Sequence, residues 1–153
     1  VIASALNDLP EAFESLAATQ SNVGRMKAAG VLVGLGTIND NEARQARLEK
    51  QYAGNLVALR HLPCATGLSW DQAFAAISSV PAEAVGLGGE IGSLRPGRRG
   101  DVVIWDGDPL ELSSAAVGVY VDGVKQPLGT RQSELLKRYR QPQEGALPKA
   151  YER

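Results

Sequence analysis

Histidine and cysteine are almost absent from this chain. Its 153 residues include one His, His61, and one Cys, Cys64. A single cysteine forms no internal disulfide, so no disulfide framework can be claimed, and cytoplasmic and secreted settings both stay open. A His/Cys metal cluster is arithmetically excluded, and any histidine-based catalysis has to rest on His61. Aromatic residues make up 5% of the chain and do not interleave with Arg or Lys, which argues against a base-stacking platform. There is no excess of either charge, with 16 Lys and Arg against 17 Asp and Glu, so no nucleic-acid footprint is indicated. No apolar run approaches the roughly 18 residues of a membrane span, so no membrane partner is expected. The opening VIASALNDLPEAFE has neither the basic stretch nor the long apolar run of a signal peptide. The chain opens on Val1 rather than Met, as a processed product, an internal piece or an incomplete reading frame would.

What is present reads as α/β. Phe13, Leu16, Ala17, Val23 and Met26 recur at helical spacing, predicting an amphipathic helix from Glu11 to Ala29 that ends at Gly30. VLVGLGT, residues 31–37, is a continuous apolar run expected to form a strand buried on both faces. Asn39 with Glu42 has capping-box spacing and opens a second helix through EARQARLEKQYAGNLVALR. Ser69 with Gln72 repeats that spacing and starts a short helix expected to stop at or before Pro81. Further on the period changes to two. DVVIWD (101–106) and AVGVYV (116–121) read as strands, and Asp122-Gly123 is a type I′ hairpin signal. A last helix is expected from Arg131 to Tyr139 with Thr130 as its N-cap, followed by a polar, proline-broken tail. A two-sided strand needs parallel neighbours with crossover helices, and no such neighbour is expected upstream of residue 31.

Several patterns carry possible chemistry. Gly34 and Gly36 in GLGTIND resemble the start of a dinucleotide loop, but Asn39 stands where the third glycine belongs, and a tight strand-to-helix turn is favoured. GSLRPGR has phosphate-loop spacing, yet Arg98 and Arg99 replace the required Lys and Ser or Thr, and a strand follows instead of a helix. Its Pro96-Gly97 pair is read as a turn between two β segments. His61 and Cys64 lie three apart at a helix end, where loop residues are a better description than ligands or a nucleophile pair. Asn39, Asp40 and Glu42 fall just beyond the C-terminal end of the buried strand, the end at which α/β sheets and barrels place ligand and catalytic groups. Helix capping explains the same residues equally well.

Three stretches carry a family resemblance: KAAGVLVGLGTIND, ARLEKQYAGNLVA, and GLSWDQAFAAISSVPAEAVGLGGEIGSLRPGRRGDVVIWDGDPLELSSAAVGVYVDGV. Together they resemble the C-terminal third of a metal-dependent amidohydrolase of the imidazolonepropionase-like group. The resemblance runs from about Leu9 to about Tyr139. It implies the C-terminal end of a TIM-like (β/α)8 barrel, with Glu11 to Ala29 as the seventh helix, Val31 to Thr37 as the eighth strand and Glu42 to Leu59 as the eighth helix. Strands of a small composite β-sandwich would follow. The implied organisation is a barrel part over 1–80, sandwich strands over 81–130, and a helix with a loose tail over 131–153. The first and seventh strands would then flank the two-sided strand from outside this chain.

In this family an Asp at the end of the eighth strand contacts the metal and takes the proton from metal-bound water as it attacks a carbonyl. Here Ile38 follows Thr37 where the acid is most natural, so Asp40 is the candidate general base and metal contact, with Glu42 behind it. The implied cofactor is a divalent metal, most naturally zinc, held only in a complete barrel. The implied reaction is hydrolysis of a C–N bond in a small-molecule amide, cyclic amide or acyl-amino acid. One carboxylate cannot hold a catalytic zinc, which takes three protein ligands, so the chain alone is expected to be inactive. The alternative is a non-catalytic remnant that self-associates as an interaction module, burying its apolar strand against another copy.

Overall fold

A computed structural model describes residues 1–5, 13–36 and 46–140. Strand β1 (Ile2–Ala3) pairs in parallel with β2 (Gly34–Leu35), with Ile2 opposite Gly34 and Ala3 opposite Leu35. Gly34 N donates to Val1 O at 2.9 Å and Gly36 N to Ala3 O at 3.1 Å. Val33, Gly34 and Leu35 are buried in succession, which is the two-sided burial expected of a parallel strand. The expectation of no parallel neighbour upstream of residue 31 is therefore corrected: β1 is that neighbour on one side. Its two-residue length and its place at the very start of the sequence gave no periodic signal. Gly34 lies at a close approach: a Cβ there would lie 2.9 Å from Ile2 Cδ1 and 3.2 Å from Pro81 Cγ, so both side chains would have to shift.

Helix α1 (Asn22–Ala28) leads into β2. It is much shorter than the helix expected over Glu11 to Ala29. Residues Phe13–Ser15 form a single 3₁₀ turn, and Phe13 and Leu16 are 86% and 63% exposed where a core-facing stripe would bury them. The polar run Thr19 to Asn22 breaks the periodicity physically, since short hydroxyl side chains compete for backbone hydrogen bonds. Ser21 N donates to Thr19 Oγ1 at 3.2 Å, and the buried Ser21 Oγ accepts from Thr66 N at 3.0 Å. The C-terminus is as expected. Gly30 has φ 82°, Gly30 N donates to Lys27 O and Val31 N to Met26 O, both at 3.0 Å, a Schellman closure.

Helix α2 (Glu49–Ala58) continues into a 3₁₀ turn over Leu59–His61. Helix α3 (Trp70–Ala76) begins at the expected capping box, with Gln72 N donating to Ser69 Oγ at 3.2 Å and Ser69 N to Gln72 Oε1 at 3.0 Å. A separate helix α4 (Ser79–Ala84) follows and contains Pro81, which the sequence suggested as a stop. Pro81 is the third residue of α4, where its missing N–H has no intrahelical partner to lose. The core gathers Val23, Val33, Leu35, Ala53, Leu56, Leu59, Leu68, Ala73, Ala76 and Leu110. It thus joins α1, β2, α2 and α3 to a residue from the loop that follows the next strand.

The second sheet is the antiparallel meander β3 (Val102–Trp105), β4 (Ala116–Val121) and β5 (Val124–Lys125). Asp122 (φ 52°) and Gly123 (φ 74°) both adopt the left-handed conformation that a two-residue I′ hairpin demands. Val103 lies opposite Val119 and Val121 opposite Val124, so the period of two places Val103, Val117, Val119, Val121 and Val124 on one face. This valine face is open: Val103, Val117, Val121 and Val124 are 45 to 63% exposed. Pro96-Gly97 makes the expected turn, with Arg98 N donating to Arg95 O at 3.2 Å and Gly97 at φ 83°, but it links α4 to β3 rather than two strands. Helix α5 (Arg131–Arg140) is capped as expected, Ser133 N donating to Thr130 Oγ1 at 3.1 Å.

Candidate functional site

The C-terminal ends of β1 and β2 lie side by side, and the chain leaves them at Ser4 and Gly36. Ligand groups belong at this end of a parallel pair. Asn39, Asp40 and Glu42, the residues expected there, lie outside the described residues. Gly36 is pressed against β1, since a Cβ would sit 2.8 Å from Ile2 Cγ2. Close strand packing thus explains both glycines of the GLG run without a nucleotide.

The other sequence candidates resolve into structural roles. His61 closes the 3₁₀ turn after α2 and is exposed, and Cys64 is exposed with φ 62°. Arg98, at the end of the phosphate-loop-like stretch, turns its guanidinium inward and donates to the carbonyls of Gly88 and Ile91. Its charge is used to close the loop, leaving the stretch without its cationic anchor for phosphate.

Sequence reasoning missed three polar clusters, of which two join the meander to the helices and the third closes the meander itself. Lys50 on α2 donates through Nζ to Glu111 O at 2.9 Å and Ser114 O at 3.1 Å, and its ammonium sits 4.9 Å from the centre of the Trp105 ring. Trp70, the first residue of α3, donates through Nε1 to Asp108 Oδ2 at 2.8 Å and stacks on Phe74. Asp108 Oδ1 also accepts from Leu110 N at 2.9 Å, which fixes the turn that sends Leu110 into the core. At the base of the meander, Arg99 pairs with Asp101, whose Oδ1 accepts from Asp122 N at 2.9 Å. The Arg99 hydrogen bond, helped by that backbone N–H, holds the Asp101 carboxyl below the usual carboxylate range; Asp101 in turn raises Arg99. The local signal for the first two clusters was the Asp-Pro turn at 108–109, but their helix partners Trp70 and Lys50 lie tens of residues away.

A hollow of about 270 Å³ lies between α2 and the 110–112 segment, lined by Gln51, Asn55, Ala58, Leu110, Glu111 and Leu112. Among the described residues Glu111 is its one ionisable lining group, and these residues offer no acid–base pair. Among the described residues no three His, Cys, Asp or Glu side chains come together to hold a metal ion. This donor set does not fit a catalytic zinc, which takes three protein ligands and one open position.

Comparison with known proteins places this architecture. The amidohydrolase family model matches residues 8–125. The amidohydrolase tasK of Hapsidospora irregularis is 38% identical over 60 residues, covering 39% of this chain and 6% of that protein. The imidazolonepropionase of Maricaulis maris is 35% identical over 106 residues, covering 68% of this chain and 25% of the relative. A crystal structure of an amidohydrolase from Thermotoga maritima superposes with a TM-score of 0.69 at 26% identity, covering 82% of this chain and 30% of the other. The chain spans a quarter or less of these two curated relatives. With the family model matching most of its length and imidazolonepropionases among its relatives, this chain belongs to the amidohydrolase family, on its imidazolonepropionase-like side, and has that family's α/β fold.

Proposed function

We propose that this chain is the C-terminal portion of an amidohydrolase-type, metal-dependent hydrolase of C–N bonds in small-molecule amides or cyclic amides, and that it is inactive as an isolated chain. The observation that carries this reading is the β1–α1–β2 unit: two parallel strands, β2 buried on both faces, with α2 following and an antiparallel meander docked beside them. In a (β/α)8 barrel, β1 corresponds to the seventh strand, α1 to the seventh helix, β2 to the eighth strand and α2 to the eighth helix. The meander corresponds to part of a composite β-sandwich, and its open valine face supports that reading, because three strands alone leave one apolar layer uncovered. Asp40 is the proposed general base and metal contact, with Glu42 behind it. Zinc and substrate would both need residues from the rest of the barrel.

The test is an activity assay of the pure 153-residue chain with zinc supplied, on a panel of N-acyl amino acids and cyclic amides. No turnover is expected. Turnover that Asp40→Ala abolishes would refute the proposal, because this chain would then carry a working site. Native mass spectrometry of the same preparation reads assembly and metal together. A second, larger chain or stoichiometric zinc supports completion of a barrel.

The valine face also favours a second reading, a non-catalytic module that self-associates through its apolar surfaces. A metal-free homo-oligomer in native mass spectrometry supports it, and a monomer in sedimentation at high concentration removes it.

A further inference from the structure

We draw no further inference here: the strongest candidate, the open valine face of the β3–β4–β5 meander (Val103, Val117, Val119, Val121 and Val124), carries nothing because no contact in the structure shows what covers it.

Discussion

Replacing Gly54 by Ala sets helix propensity against packing, and the two predict opposite signs. Gly54 lies inside α2, where a solvent-facing Gly→Ala change stabilises by about 1 kcal/mol. Here the new Cβ would lie 2.6 Å from the backbone oxygen of Leu110, far inside contact distance. That oxygen belongs to a loop fixed by Lys50 and by the Trp70–Asp108 bond, and Leu110 is only 6% exposed. Relief of the clash therefore requires the loop to lift. Full burial of a leucine is worth about 1.5 to 3 kcal/mol, and lifting the loop forfeits part of it. Each loosened hydrogen bond adds about 1 kcal/mol. Packing wins, and Gly54→Ala should be net destabilising by about 1 to 3 kcal/mol.

Urea denaturation followed by fluorescence is the direct assay. Both tryptophans of the chain, Trp70 and Trp105, touch the elements that would move. The midpoint should fall and the native emission should shift to the red. Asn55→Ala, an exposed neighbour on the same helix, serves as the control and should gain a few tenths of a kcal/mol. If Gly54→Ala is as stabilising as the control, the docking of loop 108–112 on α2 is wrong.

Lys50→Met keeps the aliphatic stem but removes two hydrogen bonds and the cation over Trp105, and should cost about 1 to 2 kcal/mol with a change in Trp105 emission. Unchanged stability and spectrum would dismiss the latch. Ser69→Ala opens the capping box of α3 and should lower stability by about 1 kcal/mol, read by thermal melting against a control at the exposed Gln132 of α5, Gln132→Ala, which should move far less. Asp101 titrates lower in the folded chain than unfolded, so its stabilising contribution is present above the unfolded value of about 4 and is lost as pH falls through the lower folded value. The stability difference between the natural chain and Asp101→Asn should accordingly be constant near neutrality and shrink below about pH 4. A difference that widens on acidification contradicts the pairing with Arg99.

Local signals were legible in the sequence. The Ser69–Gln72 box, the Asp122-Gly123 hairpin, the strands over 102–105 and 116–121, and the Thr130 cap all depend on residues within a few positions of one another. The failures share a different cause. The helix expected from Glu11 loses residues up to Ser21 because Ser21 is committed to Thr66, a partner 45 residues away. Strand β1 was invisible because two residues carry no period. Helix α4 was masked by a proline whose effect depends on where the helix begins. Family membership was legible from the GSLRPGRRGDVVIWDGDPLEL stretch, and the comparisons bear it out. The proposed carboxylate site was legible only as a position after β2, because Asp40 and Glu42 lie outside the described residues.

The two sheets differ in the length of chain that each must close. Val121 meets Val124 across a two-residue turn, and β3 meets β4 across the ten residues 106–115. Ile2 meets Gly34 only after the whole of α1 has been spanned, and that pairing is two residues long. Loop-closure entropy comes before the reward of such a contact, whereas the meander collects its bonds almost at once. The meander and the capped helix α3 should thus acquire amide-exchange protection first during refolding, and β1 last. In the native ensemble the same ordering runs in reverse, making β1 the first element to detach and leaving one edge of the buried β2 without its partner.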